Sequence, residues 1–212
     1  MPRPARMDRR SIVAATLEVL QEVGLDALSQ RAIAARLGVR QPALYHHFAS
    51  KDDLLAALAE EVLTRHHTAR LPATDEPWDH FVARNARSLR GALLGVRDGA
   101  RLVASAGPRA PALDTAVAQV RLLEGAGFSG AEAVLALIAV SRYVIGSALE
   151  QETSRDGAEI TVHGGGPGAL PGGHEEAAAH LAAVAREVAA LGQDHEFEVG
   201  LAALLRGLAP RR

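Results

Sequence analysis

Four histidines stand in two adjacent pairs, His46-His47 and His66-His67, and paired imidazoles raise the question of metal chemistry. Neighbouring side chains on a helix point about 100° apart, so neither pair can close on one ion, and no H-E-x-x-H spacing is present. His163-Gly164-Gly165-Gly166 looks like the backbone oxyanion hole of esterases. That chemistry also needs a G-x-S-x-G nucleophile, and the nearest stretch, Gly127-Phe128-Ser129-Gly130-Ala131, lacks the final glycine. There is no phosphate loop and no dinucleotide fingerprint. The absence of cysteine excludes a thiolate nucleophile, a disulfide and a thiolate metal site. Neither an enzyme, nor a metal site, nor a cofactor is expected. A different chemistry remains. Gln41, Pro42, Ala43, Tyr45, His46 and His47 crowd an amide, a phenol, two imidazoles and a methyl group into seven residues. Amides and imidazoles bond base edges or phosphates, and an alanine methyl can touch a thymine methyl, so this set suits the major groove of DNA.

The elements around that set are legible. Ser29 is a helix cap, Ile33 and Leu37 fall one turn apart on a buried face, and Gly38 ends the helix in a conformation that favours glycine. Pro42 opens the next, short helix, whose Leu44 and Phe48 point inward and leave the polar set outside. Ahead of this pair, Ile12, Thr16, Val19, Leu20 and Val23 follow helical spacing up to Gly24. Behind it, Ser50 and Asp53 start a long helix expected to run to about Arg70.

The run from Ser11 to His67, with LSQRAIAARLGV, QPALYHHF and SKDDLLAALA in order, resembles the DNA-binding domain of the TetR family of bacterial regulators. The resemblance implies a three-helix head over residues 1–50, linked by the helix 51–70 to a ligand-binding and dimerisation domain over 71–212. Carried over residue by residue, it implies DNA contacts at Ser29, Gln30, Arg31, Gln41, Pro42, Ala43, Tyr45, His46, His47 and Lys51. Arg31 stands at the position of a base-reading arginine and Gln41 at a neighbouring base contact.

No strand pattern occurs anywhere, and the architecture expected is all-α: a helix-turn-helix head on a larger helical core. Helices are expected over Trp78–Leu94, then through Arg101, from Leu113 to about Gly125, over Ala133–Leu149, over Ala177–Leu191 and from 195 to 208. Proline and glycine break the chain at 107–111 and again between 153 and 173, where six of the ten residues from Gly164 to Gly173 are glycine. Ala133–Leu149 is apolar nearly all round, which calls for cover by a partner chain. In the second domain the resemblance narrows to the tetracycline-repressor branch, through RHHT (65–68), RDGA (97–100), GFS (127–129) and IGSALEQ (145–151). It implies a ligand pocket lined by His67, Asn85, Leu89, Gln119 and Glu150. Leu89 replaces a phenylalanine, Val103 and Ala106 replace a magnesium-binding histidine and a nearby threonine, and Arg142 replaces a pocket histidine.

The charge agrees with a nucleic-acid surface at one end. Residues 1–51 hold eight basic side chains against four acidic ones, a net of +4, and the remainder holds fifteen against twenty-one, a net of −6. A near-neutral total of −2 thus conceals a basic front and an acidic body. No unbroken apolar run approaches the roughly 20 residues of a membrane span, and the N-terminus lacks the apolar segment of a signal peptide, so a cytoplasmic protein is expected. The reading is a homodimeric repressor that binds double-stranded operator DNA and is released by a small-molecule inducer. That inducer is expected to be an apolar aromatic or polycyclic molecule, anionic if Arg142 faces the cavity. A protein of the same fold that only sequesters a small molecule is the alternative, and the basic head argues against it.

Overall fold

The computed structural model describes residues 8–107, 112–155 and 174–210, and every regular element among them is helical. Cα packing divides the chain into two compact units, Met1–Leu149 and Glu150–Arg212.

The first unit opens with α1 (Arg9–Val23), started by a capping box in which Asp8 accepts from the Ser11 amide at 2.8 Å and Ser11 Oγ accepts from the Asp8 amide at 3.0 Å. Its inner face, Ile12, Val13, Ala15, Val19 and Leu20, is buried. Next comes α2 (Gln30–Leu37), capped by the Ser29 hydroxyl, which accepts from the Ala32 amide at 3.2 Å. Gly38 closes it at φ 68°, ψ 26°, a left-handed conformation that costs a glycine nothing. The following element, η1 (Gln41–His46), is a 3-10 helix and not an α-helix. It is anchored by Leu44 and Phe48, 2% and 3% exposed.

From the Ser50 cap, α3 (Lys51–His66) buries Leu54, Leu58, Ala59 and Val62. It ends at His66, four residues before the expected Arg70. The cause is tertiary: α4 (Trp78–Leu94) pulls the chain out of the helix, because Ser88 accepts from the Ala69 amide at 3.1 Å and Asn85 donates to the Ala69 carbonyl at 2.9 Å. Trp78 at the start of α4 packs edge-on against Phe128, ring centroids 4.9 Å apart. A short α5 (Gly99–Ser105) outlasts the expected stop at Arg101 by one turn. Gly99 is required there, since a Cβ at this position would lie 2.2 Å from the Leu93 carbonyl oxygen. Residues 108–111, most of the proposed break, lie outside the described set.

In α6 (Leu113–Gly125) only Leu123 is buried, and Leu113 and Val117 of the expected stripe are exposed. Ser129 and Glu132 form the expected capping box ahead of α7 (Gly130–Arg155): Glu132 accepts from the Ser129 amide at 2.8 Å and Ser129 Oγ accepts from the Glu132 amide at 3.3 Å. This helix continues six residues past Leu149, so 153–155 are helical, and the glycine-rich 156–173 lie outside the described residues. Within Gly130–Ser154 an 18-residue stretch has a mean hydropathy of 1.6, long and apolar enough to cross a membrane, and 28% of that stretch is buried. That departs from the expectation, because Arg142 interrupts the apolar run without interrupting the helix. Val134, Leu135 and Ile138 leave apolar surface exposed on its first half.

The second unit holds the end of α7 together with α8 (His174–Leu191) and α9 (Gln193–Leu208), which pack on each other. In α9, Phe197 and Leu201 are buried, whereas Leu181, Val184, Val188 and Leu191 of α8 are exposed.

Candidate nucleic-acid interface and ligand cluster

The head is built so that its polar set faces out. Of the residues singled out for DNA contact, Ser29, Arg31, Gln41, Pro42, Tyr45, His46 and Lys51 are exposed, and Gln30, Ala43 and His47 are half-buried. Two side chains are already tied together across the turn, Gln41 Nε2 donating to Gln30 Oε1 at 3.2 Å. The Ser29 oxygen is occupied by its cap. Arg9, from the first turn of α1, donates to the His47 carbonyl and lays its guanidinium 4.2 Å over the Phe48 ring. Cation and ring attract, so the end of η1 is clamped to α1. Beside this clamp Arg9, Tyr45, His46, His47 and Asp53 line an open cleft of about 640 Å³.

Not every base in the head is free for DNA. Arg36 is held by Glu18 at 3.0 Å and by Glu22, which locks α2 onto α1. The hydrogen bond from Arg36 holds the Glu22 carboxyl below its ordinary range, and Glu22 in turn raises the arginine. A further joint ties the α1–α2 corner to α5. Asp98 Oδ2 accepts from the Leu25 amide at 2.7 Å and Oδ1 accepts from Arg101 at 3.1 Å. Arg101 also grips both oxygens of Asp26, at 2.7 and 3.2 Å, and Arg97 donates to the Glu22 carbonyl at 2.8 Å. Asp98 makes these bonds from φ 55°, a left-handed conformation that few side chains other than Asp and Asn tolerate.

The segment after α3 gathers three of the expected ligand residues. His67 Nδ1 lies 3.0 Å from Ser88 Oγ, and Asn85 Nδ2 lies 3.5 Å from His67 Nε2 and donates to the Ala69 carbonyl. An amide nitrogen facing Nε2 makes that atom the acceptor, so the proton sits on Nδ1. Gln119, from α6, donates to the Arg70 carbonyl at 2.7 Å. Arg84 donates to the Leu71 carbonyl at 3.0 Å and pairs with Glu76, whose carboxyl is lowered to about 2 by that arginine. Burial, and then the charge of Arg70, push His67 down to about 4, so its imidazole is neutral near pH 7. Leu89, one turn beyond Asn85, is buried at 9% exposure; Val103 on α5 is buried at 8% and Ala106 is half-buried. Arg142 and Glu150 are both exposed in this single chain. Ser88 and Arg70 were missed. Ser88 sits three residues from Asn85 on one helix face, a spacing that marks it as a neighbour.

A family model described as the C-terminal domain of tetracyclin repressor-like proteins matches residues 71–212, and one described as bacterial regulatory proteins, tetR family, matches residues 12–58. The chain belongs to the TetR family. Within it, the chain is 43% identical over 209 residues to the tetracycline repressor protein class A from transposon 1721 of Escherichia coli, covering 98% of this chain and 93% of that one. Two solved TetR structures share the fold. TetR from Acinetobacter baumannii AYE superposes with a TM-score of 0.77 at 40% identity, covering 95% of this chain and 96% of that one. TetR(class A) in complex with 5a,6-anhydrotetracycline and magnesium superposes with a TM-score of 0.72 at 39% identity, covering 97% and 100%.

Proposed function

We propose that this TetR-family chain is a ligand-responsive repressor that binds a palindromic operator as a homodimer and lets go when a small molecule enters its core. The observation that carries the reading is an outward polar set on η1, held rigid by Leu44, Phe48 and the Arg9 clamp, in a chain similar from end to end to tetracycline repressors. Residues 1–50 are the head, α3 the link, and 71–212 the ligand-binding and dimerisation part. Two heads about 34–36 Å apart fit successive major grooves on one side of the duplex. Arg31, Gln41 and Ala43 read bases, and Ser29, Gln30, Pro42, Tyr45, His46, His47 and Lys51 fix the head on backbone and groove walls.

The dimer is supported by the exposed Val134, Leu135 and Ile138 of α7. Membrane insertion is the competing use of so apolar a helix. Arg142 at its middle weighs against that, since a charge at the bilayer centre is costly. A DNA-bound repressor acts where bacterial DNA lies, in the cytoplasm.

His67, Asn85, Leu89, Val103, Ala106 and Gln119 form the ligand side of one protomer. The ligand reaches the head through two connections, α3 and the Asp98–Leu25 joint on α5. By linkage, a ligand that releases DNA binds the free protein more tightly than the DNA-bound protein. Magnesium, present in the class A complex, does not fit here. Val103 and Ala106 carry no donor atoms, and among the described residues no three His, Cys, Asp or Glu side chains converge on one point.

Gel shifts on an operator and its single-base variants test the reading. Arg31→Ala should cost about 1–3 kcal/mol on the intact operator and relax preference at one base pair, as loss of a bidentate guanine contact does. Failure of the wild-type protein to bind any palindrome near its own gene would sink it.

A further inference from the structure

In the ligand cluster one charge is left over. Arg70 follows His67 and Ala69 in the segment that α4 and α6 hold down, and its own carbonyl is fixed by Gln119 at 2.7 Å. Its Nε is buried from solvent and finds no hydrogen-bond acceptor. Among the described residues no carboxylate lies within ion-pair distance of Arg70. Glu76, the acid nearest in sequence after Asp75, is engaged by Arg84 at 2.7 Å. The charge is nevertheless felt inside the cluster, because it helps burial to keep His67 neutral.

A buried donor without a partner is rare, and on a guanidinium it is informative. The edge formed by Nε and one terminal nitrogen is the one that takes a carboxylate with two parallel bonds. The rest of the cluster cannot supply the counter-charge: its His67, Asn85, Ser88 and Gln119 are all neutral, and Leu89 is apolar. We propose that Arg70 is the anion-recognising residue of the ligand site, and that the effector is a small aromatic or alicyclic organic anion whose carboxylate or ionised phenol seats on the Arg70 guanidinium while its apolar body lies on the Leu89 side. This rests on the ligand-responsive reading above and gives that ligand a charge. It also moves the anion contact from the exposed Arg142 to a residue of the cluster itself.

Two probes with one ring system separate charge from shape: 9-anthracenecarboxylate and its methyl ester, titrated by fluorescence into the full-length protein. The carboxylate should bind wild type at least tenfold more tightly than the ester. Arg70→Gln should weaken the carboxylate at least tenfold and move the ester less than twofold, and Arg70→Lys, which keeps the charge and loses the fork, should fall between. Ester binding reports that the site is still folded in each variant, so a loss of both probes in Arg70→Gln and Arg70→Lys alike would make Arg70 a packing residue and overturn the proposal. Equal affinities for the two probes on wild type, or binding of neither, would also overturn it. Operator gel shifts in the same samples keep the two readings apart: DNA binding without discrimination between the probes defeats the anion contact alone, whereas no DNA binding defeats the repressor.

Discussion

Removing the Asp98 carboxylate tests whether the head is tied to α5 as described. Asp98→Ala deletes the acceptor of the Leu25 amide, a part-buried bond of 2.7 Å, and one of the carboxylate partners of Arg101. A hydrogen bond to a charged group contributes about 1.5–3 kcal/mol, and the Asp98 side chain is only 13% exposed, so solvent screens it little. Of the remaining links, Arg101 to Asp26 lies on an 83% exposed carboxylate and is screened, and it should not rescue the joint. Alanine also tolerates φ 55° worse than aspartate does, which adds roughly 1 kcal/mol. The sum is a loss of about 2.5–4 kcal/mol, or roughly 5–15 °C in melting temperature for a chain of this size. Asp98→Gly gives up the same bond but relieves the left-handed strain, so it should be about 1 kcal/mol less damaging than alanine. Asp98→Asn, which keeps an acceptor oxygen and tolerates the backbone, should be mildest. Thermal unfolding orders the three variants, and hydrogen exchange at the Leu25 amide reports the bond itself. An Asp98→Ala protein as stable as wild type, with the Leu25 amide still protected, would refute the joint.

The neutral state of His67 makes stability depend on pH. Its folded value of about 4 lies below the ordinary 6.5, so the unfolded chain binds the extra proton between those values and stability falls as pH drops through that window. Denaturant unfolding at pH 7.5 and 4.5 should differ by up to about 3 kcal/mol more in wild type than in His67→Asn, and equal slopes would remove the burial argument. Leu135→Glu, placing a charge on the exposed apolar face of α7, should convert a dimer to a monomer by light scattering and abolish operator binding; a wild-type protein that is already monomeric at micromolar concentration would end the dimer reading. Induction should be insensitive to EDTA, and nanomolar release by tetracycline that requires magnesium would contradict the donor set at Val103 and Ala106.

What was legible in the sequence is what local chemistry decides. Ser29, Gly38, Ser50 and the Ser129–Glu132 box mark helix ends because their bonds close within three residues. Leu44 and Phe48 could be assigned to the core because their spacing admits one inward face. The 3-10 form of η1 was not legible, since periods of 3.0 and 3.6 do not separate over six residues. Nor was the end of α3, which Ser88 and Asn85 set from nineteen and sixteen residues away. A lone arginine such as Arg70 reads as solvent-facing until its buried Nε is seen. The apolar rows on α7 and α8 are plain in sequence, but a single chain leaves them bare.

The segment 69–71 is held almost wholly through atoms that every residue but proline possesses: the amide and carbonyl of Ala69 and the carbonyls of Arg70 and Leu71. Its path therefore does not depend on which side chains it carries. Substitutions at Arg70 and its neighbours can alter what the cluster recognises while α3, α4 and α6 stay where they are. Selection for a new effector would find here a place where ligand preference drifts by single substitutions at little cost in folding, and related repressors that answer to different molecules should differ at these positions more than at Asn85, Ser88 or Gln119.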